Sequence, residues 1–293
     1  MSKKSVYQIV TDQIIEMLDN GVVPWHKPWK GTMYPSNLIS KKAYRGINPF
    51  ILACVASMKG YDSPFWLTYN QAKKKGGQVR KGEKSTLVVF WKWIEKEVEN
   101  DNGEMKKRSF PILRYYNVFN LDQIDGIESP EAKEMNEDFN SIECAENIIH
   151  NMPNKPQIYH NGTRAFYRPS EDMVTLPKKE RFENEEEYYS TAFHELGHST
   201  GHESRLKRDL SGFFGDEKYS QEELVAEMTA AFLCGVCEIE NVTIENSAAY
   251  IAGWKKKLKE DEKIIVRAAA QAQKAADFIL NENNEAEAEE EAA

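Results

Sequence analysis

The stretch Thr191–His202, "TAFHELGHSTGH", decides how the chain is read. Three of the six histidines fall in it, with a glutamate directly after the first. His194 and His198 are four residues apart, so on a helix they share one face. Two imidazoles placed that way can both reach a zinc ion at roughly 2.0–2.1 Å. Glu195 stands beside the first of them and reaches a water at the metal rather than the metal itself. This is the H-E-x-x-H arrangement, in which the glutamate serves as general base. The flanks predict a helix through about 184–200. "FENEEEYY" puts acids at its start, where the helix dipole favours negative charge. Gly197 leaves room between the two ligands, and Gly201 is a natural stop.

A catalytic zinc site also needs a third protein ligand and an open place for water. "YSQEELVAEMTAAFL", within a helix expected through about 220–235, is the source the sequence offers. Glu223 and Glu227 are four apart and share a face. The pair is similar to the ligand-bearing helix of thermolysin-like gluzincins, where one acid binds the metal and a second, four residues on, orients a ligand histidine. That likeness makes Glu223 the third ligand and Glu227 the partner of a histidine N–H. Glu227 as the ligand itself stays open. Glu222 points about 100° away and is disfavoured. His202 is the weakest candidate ligand, because it follows Gly201 and falls beyond the helix. The metzincin pattern would need histidine at position 204, where Ser204 stands. Cys234 and Cys237 form C-x-x-C inside an alanine-rich apolar helix and read as buried small residues. In "EDMVTLP", Met173, Val174, Thr175 and Leu176 read as an edge strand beside the cleft, able to pair with an extended peptide. One Zn2+ ion is the expected cofactor.

Charge divides the chain. Its net charge is −9, yet residues 1–120 hold 20 Lys+Arg against 10 Asp+Glu, and the remainder holds 18 against 37. Such an asymmetry predicts two domains with different partners. The first half interleaves bases and aromatics in "PWHKPWK", "KKAYRG", "FWLTYNQAKKKGGQVRKGEK" and "FWKW", and five of the six tryptophans lie there. Single-strand binders combine a cationic groove with rings on which bases stack. The candidates are Trp25, Lys27, Trp29, Lys41, Lys42, Tyr44, Arg45, Lys73, Lys74, Arg80, Lys81 and Lys84. The plainer reading is that most of the rings are core and the lysines cover a solvated face. No zinc finger, helix-turn-helix or RNP signature is present, so sequence-specific base reading is not expected.

Periodicity supplies the remaining elements. Val6, Ile9, Val10, Ile14, Ile15 and Leu18 follow helical spacing up to Gly21. "NPFILACVASMKG" is a short apolar helix closed by Gly60, and Thr68 caps another. "STLVVFWKWIE" and "SFPILRYYNVF" bracket Asn102-Gly103 as a β-hairpin. "KPQIYHNGTRAFYRPSEDMVTLP" predicts short antiparallel strands with Asn161-Gly162 as a tight hairpin turn. Helices follow through about 246–280. The acidic tail "NENNEAEAEEEAA" cannot bury apolar surface and is expected to be disordered. No run of 18 apolar residues exists, and the N-terminus mixes acids into its apolar pattern, so neither a membrane span nor a signal peptide is expected. Four scattered cysteines do not make a disulfide framework, which points to a reducing, cytoplasmic setting.

The motifs then converge on a family. "GVVPWHKPW", "SNLISKKAYRGIN", "SPFWLTYNQAKKKGGQVRKGEKSTLVVFWK" and "YYNVFNLDQI" resemble the N-terminal domain of ArdC-type antirestriction proteins. "FHELGHSTGHESRLKRDL" and "FGDEKYSQEELVAEMTAAFL" resemble the zincin-like metallopeptidase domain that follows it. The resemblance spans nearly all of residues 4–280. It implies a plasmid, phage or other mobile-element protein that protects incoming DNA from restriction. It also implies a single-stranded-DNA binder fused to a peptidase related to DNA-protein crosslink proteases. His194 and His198 carry over as ligands and Glu195 as the catalytic acid/base.

The expected architecture is α+β. A DNA-binding domain over 1–125 with a β-hairpin or small sheet is joined by a linker at 126–138 to a mostly helical zincin-like domain over 139–280. That second domain carries a small antiparallel sheet, and a disordered tail fills 281–293. The expected function is sequence-nonspecific binding of single-stranded DNA together with zinc-dependent hydrolysis of a protein substrate, such as DNA-bound host proteins. Two rivals remain: a DNA-coating antirestriction protein with a structural zinc domain, and a metalloprotease with no nucleic-acid role.

Overall fold

The computed structural model describes residues 4–26, 34–99, 105–130, 140–211, 217–239 and 247–282. Helix α1 (Val6–Asp19) opens where the Ser5 side chain accepts the Gln8 N–H at 3.0 Å, and it buries Val10, Ile14, Met17 and Leu18. β1 (Ser36–Asn37) precedes α2 (Asn48–Lys59), which Gly60 closes in the left-handed region at φ +67. Only a residue tolerant of positive φ ends a helix that way cheaply. β2 (Phe65–Leu67) leads to α3 (Tyr69–Lys74), where Thr68 and Gln71 cap each other's backbone reciprocally. β3 (Gln78–Val79), β4 (Thr86–Glu99), β5 (Met105–Asn120) and β6 (Ile124–Asp125) complete the first half.

β4 and β5 form the antiparallel ribbon that their β-branched and aromatic runs predict, from Thr86 opposite Val118 to Glu99 opposite Met105. Asn102-Gly103, the expected turn, lies outside the described residues. The ribbon joins a sheet of order β1-β2-β5-β4, while β3 and β6 pair separately.

In the second half α4 (Ser141–Asn151) precedes β7 (Gln157–His160), β8 (Phe166–Arg168) and β9 (Met173–Leu176). Then come α5 (Glu185–Ser199), α6 (Glu217–Val236), α7 (Ala248–Glu260) and α8 (Ile264–Ile279). The small sheet differs from the sequence expectation. Its order is β7-β9-β8, with β9 parallel to β7 and antiparallel to β8. Gly162 does turn, at φ +70, but β7 and β8 do not pair across Asn161-Gly162. The most apolar strand takes the middle, where it gains a neighbour on each side, and Val174, Thr175 and Leu176 are buried. Met173–Leu176 is therefore a central strand and not the expected edge.

Packing also crosses the division expected at 125 and 139. One cluster of buried residues runs from Val10, Ile14 and Trp25 through Phe50 and Leu113 into α5, α6 and α8. The rings of Phe50 and Phe232 lie 4.8 Å apart, and those of Trp25 and Trp254 lie 5.9 Å apart. Thr11 donates its hydroxyl to the Glu262 carbonyl at 2.8 Å, and Arg45 is ion-paired with Asp277. Of the expected linker only 126–130 is described, and the tail at 283–293 lies outside the described residues. Cys234 and Cys237 are free and buried, as their apolar helix predicts, and burial pushes the Cys234 thiol up to about 12. Among the described residues no helix is long and apolar enough to cross a membrane.

A shared core predicts shared unfolding. Phe50→Ala removes a fully buried ring that touches α6 and is expected to cost about 3–5 kcal/mol. Urea denaturation, read by tryptophan fluorescence for the first half and by loss of metal binding for the second, should show both midpoints falling together. A second half that keeps its midpoint would refute the shared core.

Candidate metal centre

The centre is built on two helices. Asn184 caps α5 by accepting the Glu187 N–H at 2.8 Å, and Glu185, Glu186 and Glu187 fill the first turn. One face of α5 buries Tyr188, Tyr189, Ala192, Phe193 and Leu196 in the core. His194 and His198 stand at the margin of that face, half-buried, with Nε2 atoms 3.1 Å apart. Glu223 reaches across from α6. Its Oε2 lies 3.6 Å from His194 Nε2, and its Oε1 lies 3.6 Å from His198 Nε2. Ligand atoms of these three residues all lie within 4.8 Å of one another. A tetrahedral ion with bonds of about 2.0–2.1 Å holds its donors roughly 3.3–3.4 Å apart. The observed 3.1 and 3.6 Å bracket that spacing, so the donor set fits one small divalent cation.

Gly197 makes the approach of α6 possible. A Cβ there would lie 3.2 Å from Ala226 Cα and 3.2 Å from Thr229 Cβ. Its missing side chain serves helix packing, rather than room between the ligands as the sequence reading had it. Gly201 likewise differs from expectation. It has no positive φ, and a Cβ would lie 2.7 Å from Leu210 Cδ2, so it admits a neighbour more than it stops a helix.

The carboxylate that meets a ligand ring is Glu222, which the sequence reading disfavoured as a ligand and gave no other role. Its Oε1 is 3.3 Å from His198 Nδ1. Arg208 forks onto the same carboxylate with Nε at 2.9 Å and Nη2 at 2.7 Å. Nη2 also donates to the Gly197 carbonyl at 2.8 Å, and Nη1 to Thr200 Oγ1 at 2.6 Å. Burial opposes the charge of Glu222, but Arg208 and then His198 hold its carboxyl below the usual range. Neighbouring residues on α6 thus address the two nitrogens of one imidazole. The doubled glutamate in "QEEL" was the only sequence signal for this.

Glu227 has a different place from either role expected of it. Its Oε2 accepts the Trp25 indole N–H at 2.9 Å and the Tyr250 hydroxyl at 2.6 Å. It stands outside the ligand cluster, and burial, partly offset by Tyr250 and by His194, pushes its carboxyl to about 7. His202 is outside the cluster too, with Nδ1 2.8 Å from Ser204 Oγ. Burial disfavours a charged His194, yet Glu223, with Glu195 and Glu227, outweighs burial and raises it to about 9. A site that draws a proton so strongly also draws a cation.

A cavity of about 400 Å³ opens over the three donors, and Glu195, buried, forms part of its wall. Phe166 and Tyr167 also line it. β8 has one strand neighbour, β9, so the edge beside the cavity belongs to Phe166–Arg168. In β9 next to it Val174, Thr175 and Leu176 are buried and Met173 is half-buried. Arg205, absent from the sequence reading, ties the chain after α5 to this sheet through Asp172, Tyr167 and the Asn154 carbonyl.

The expected DNA-binding residues divide. Trp25 and Tyr44 are buried and cannot stack on a base, and Arg45 is ion-paired with Asp277. Arg80 is exposed but donates to the Asp122 carbonyl and faces Glu83 at 3.3 Å. Lys41, Lys42, Lys73, Lys74, Lys81 and Lys84 are exposed. Lys27 and Trp29 lie outside the described residues.

Residues 4–119 match the N-terminal domain of the anti-restriction factor ArdC, and residues 143–271 match a zincin-like metallopeptidase. The crystal structure of ArdC from plasmid R388 in its metal-free form aligns at a TM-score of 0.74 and 40% identity, covering 94% of this chain and 97% of that one. The chain belongs to the ArdC antirestriction family. The Mn(II)-bound structure of the same R388 ArdC aligns at a TM-score of 0.75 and 36% identity, over 95% and 98%. Protein y4eC of Sinorhizobium fredii is 37% identical over 97% of this chain and 94% of its own length. DNA primase TraC of Escherichia coli is 40% identical over 95% of this chain but only 27% of TraC, so the chain spans about a quarter of that relative.

Two outcomes test the centre. Glu222→Gln keeps shape but removes the charge beside His198, and metal affinity measured by calorimetry should fall about 10–100-fold. Metal must also displace the proton that His194 holds up to about pH 9. Apparent affinity should therefore rise about tenfold per pH unit and level off above that value. Affinity that stays flat between neutral pH and the plateau would contradict the assignment.

Proposed function

We propose that this ArdC-family chain binds single-stranded DNA with its first half and hydrolyses peptide bonds at a zinc centre held by His194, His198 and Glu223. Antirestriction on a mobile element is the activity that both parts serve. The observation that carries the reading is the convergence of those three donors beneath an open cavity whose wall holds the buried Glu195. The Mn(II)-bound R388 ArdC supports a divalent cation. Two imidazoles and one carboxylate are the donors of a catalytic zinc site, whereas manganese favours a set richer in oxygen. When bound, the ion supplies Lewis acidity and an acidified water.

The chain's own residues supply the rest. Glu195 takes a proton from the attacking water and passes it to the leaving amine. Glu222, braced by Arg208, holds the His198 ring so that Nε2 faces the site. The free edge of β8 offers backbone donors and acceptors to an extended peptide, while Phe166 and Tyr167 flank its side chains. The protein substrate is a DNA-bound host protein in the cytoplasm. DNA held by the first half raises the local concentration of proteins on the same strand.

Glu195→Gln is the decisive variant. Zinc content should be unchanged while cleavage of a DNA-bound protein falls about 10²–10⁴-fold. Full cleavage by the variant would sink the peptidase reading. Lost cleavage with intact antirestriction would instead support DNA coating as the protective act.

A further inference from the structure

The β4–β5 ribbon outruns the sheet it belongs to. β2 meets β5 only at Phe119 and Asn120, and from there outward β4 and β5 pair only with each other among the described residues. At about 3.3–3.4 Å per residue the 14-residue β4 makes an arm roughly 45 Å long. Residues directly opposite in register share a face, and successive residues alternate between faces. One face therefore carries the pairs Phe90–Arg114, Lys92–Ile112, Ile94–Phe110, Lys96–Arg108 and Val98–Lys106. These ten residues include five cations, all exposed, and no carboxylate. The other face holds Glu95 and Glu97 opposite Ser109 and Lys107, with Lys107 Nζ 4.0 Å from Glu95. That other face also packs inward at its base, where Trp91 meets Tyr7 at 6.4 Å and Leu113 enters the core.

Charged side chains on an exposed ribbon commonly do no more than prevent strand-to-strand aggregation. Charges of either sign serve that purpose, so it does not account for a face with five cations and no carboxylate beside one of mixed sign. Nor does it account for Phe110, 39% exposed among the cations. Lys96 directly opposite Arg108 places like charges in register, a destabilising arrangement that an anion would relieve. Cations interleaved with open apolar side chains are what a polyanion with unpaired bases requires. The π-faces of a duplex are stacked on each other, so an open ring finds one only on a single strand. The face has no Asn or Gln to pair with adenine and no Asp or Glu to accept from cytosine, so its lysines and arginines can address a base edge only at guanine.

We propose that this face of the β4–β5 ribbon is the single-stranded-DNA-binding surface. Lys92, Lys96, Lys106, Arg108 and Arg114 hold phosphates, and Phe110, with its neighbour Ile94, receives bases. The inference rests on the reading that the first half binds single-stranded DNA. It moves that surface from the lysines of α3 and its flanking loops to the ribbon.

Anisotropy of a fluorescein-labelled oligothymidylate, titrated with the full chain at several salt concentrations, tests it. With Lys92, Lys96, Arg108 and Arg114 all changed to glutamine, affinity should fall roughly 100-fold or more. The log–log salt slope should flatten by about 3, at about 0.7 per phosphate contact. The matching change at Lys73, Lys74, Lys81 and Lys84 should leave the slope near that of the unaltered chain. The reverse result, with the ribbon variant unaffected, overturns the ribbon assignment alone. Absence of binding by the unaltered chain overturns the underlying DNA reading instead. K96E puts opposite charges in register with Arg108, so its thermal midpoint should hold or rise while binding weakens about fivefold. A lower midpoint with the lost binding would overturn the claim that the like-charged pair is kept for a ligand. Phe110→Ala should weaken single-strand binding about tenfold and leave duplex binding unchanged. An equal loss on duplex would overturn the role given to unpaired bases.

Discussion

The rest of the structure depends on how closely α5 and α6 approach at Gly197. With no Cβ there, Ala226 and Thr229 come within 3.2 Å of where one would stand. That spacing delivers Glu223 to the two histidine Nε2 atoms and Glu222 to the far side of one of them. A bulkier residue would push α6 outward and separate donors that must meet within about 3.4 Å. The approach also leaves α6 buried on nearly every side, since Leu224, Val225, Ala226, Met228, Ala230, Ala231 and Leu233 are all inaccessible. Apart from the side that carries Glu223 and Glu227, the apolar residues of this helix point in several directions and need cover on each. α5 and α8 supply part of it, and Phe50 of the first half supplies more.

Electrostatics then follows from where the carboxylates gather. Glu195, Glu222, Glu223 and Glu227 surround two histidines in the acidic half of the chain. Arg208 is aligned to steady one of these acids, and Trp25 and Tyr250 steady another without adding a charge. The result is a pocket of negative potential ready for a dication. The opposite sign is concentrated in the first half, where one face of the ribbon carries cations alone.

Trp25 shows how the halves are joined. In sequence it sits among lysines and prolines and resembles a base-stacking ring. In the fold it is fully buried against Trp254 and donates its indole proton to Glu227, four residues beyond the candidate ligand Glu223. Indole combines a large apolar body with one obligate donor, so it suits a buried place beside a carboxylate oxygen as well as it suits a base. Composition alone cannot separate those uses.

Local features were legible in the residues themselves. The cap at Thr68, the left-handed Gly60, the strands of the ribbon and the shared face of His194 and His198 all follow from interactions spanning a few positions. Helical and extended periods express such interactions directly. The order β7-β9-β8, the pairing of Glu222 rather than Glu227 with a histidine, and the burial of Trp25 were not legible. Each depends on which distant segment comes to lie alongside, and on how close a missing Cβ lets it come. The amino-acid order by itself determined the elements, two imidazoles placed to share a metal and the neighbouring general-base candidate, because these lie within one helical turn. Tertiary packing alone decided the third donor's geometry, its supporting carboxylate and the exposed edge of the small sheet, because side-chain period says which way a residue points and nothing about what it meets.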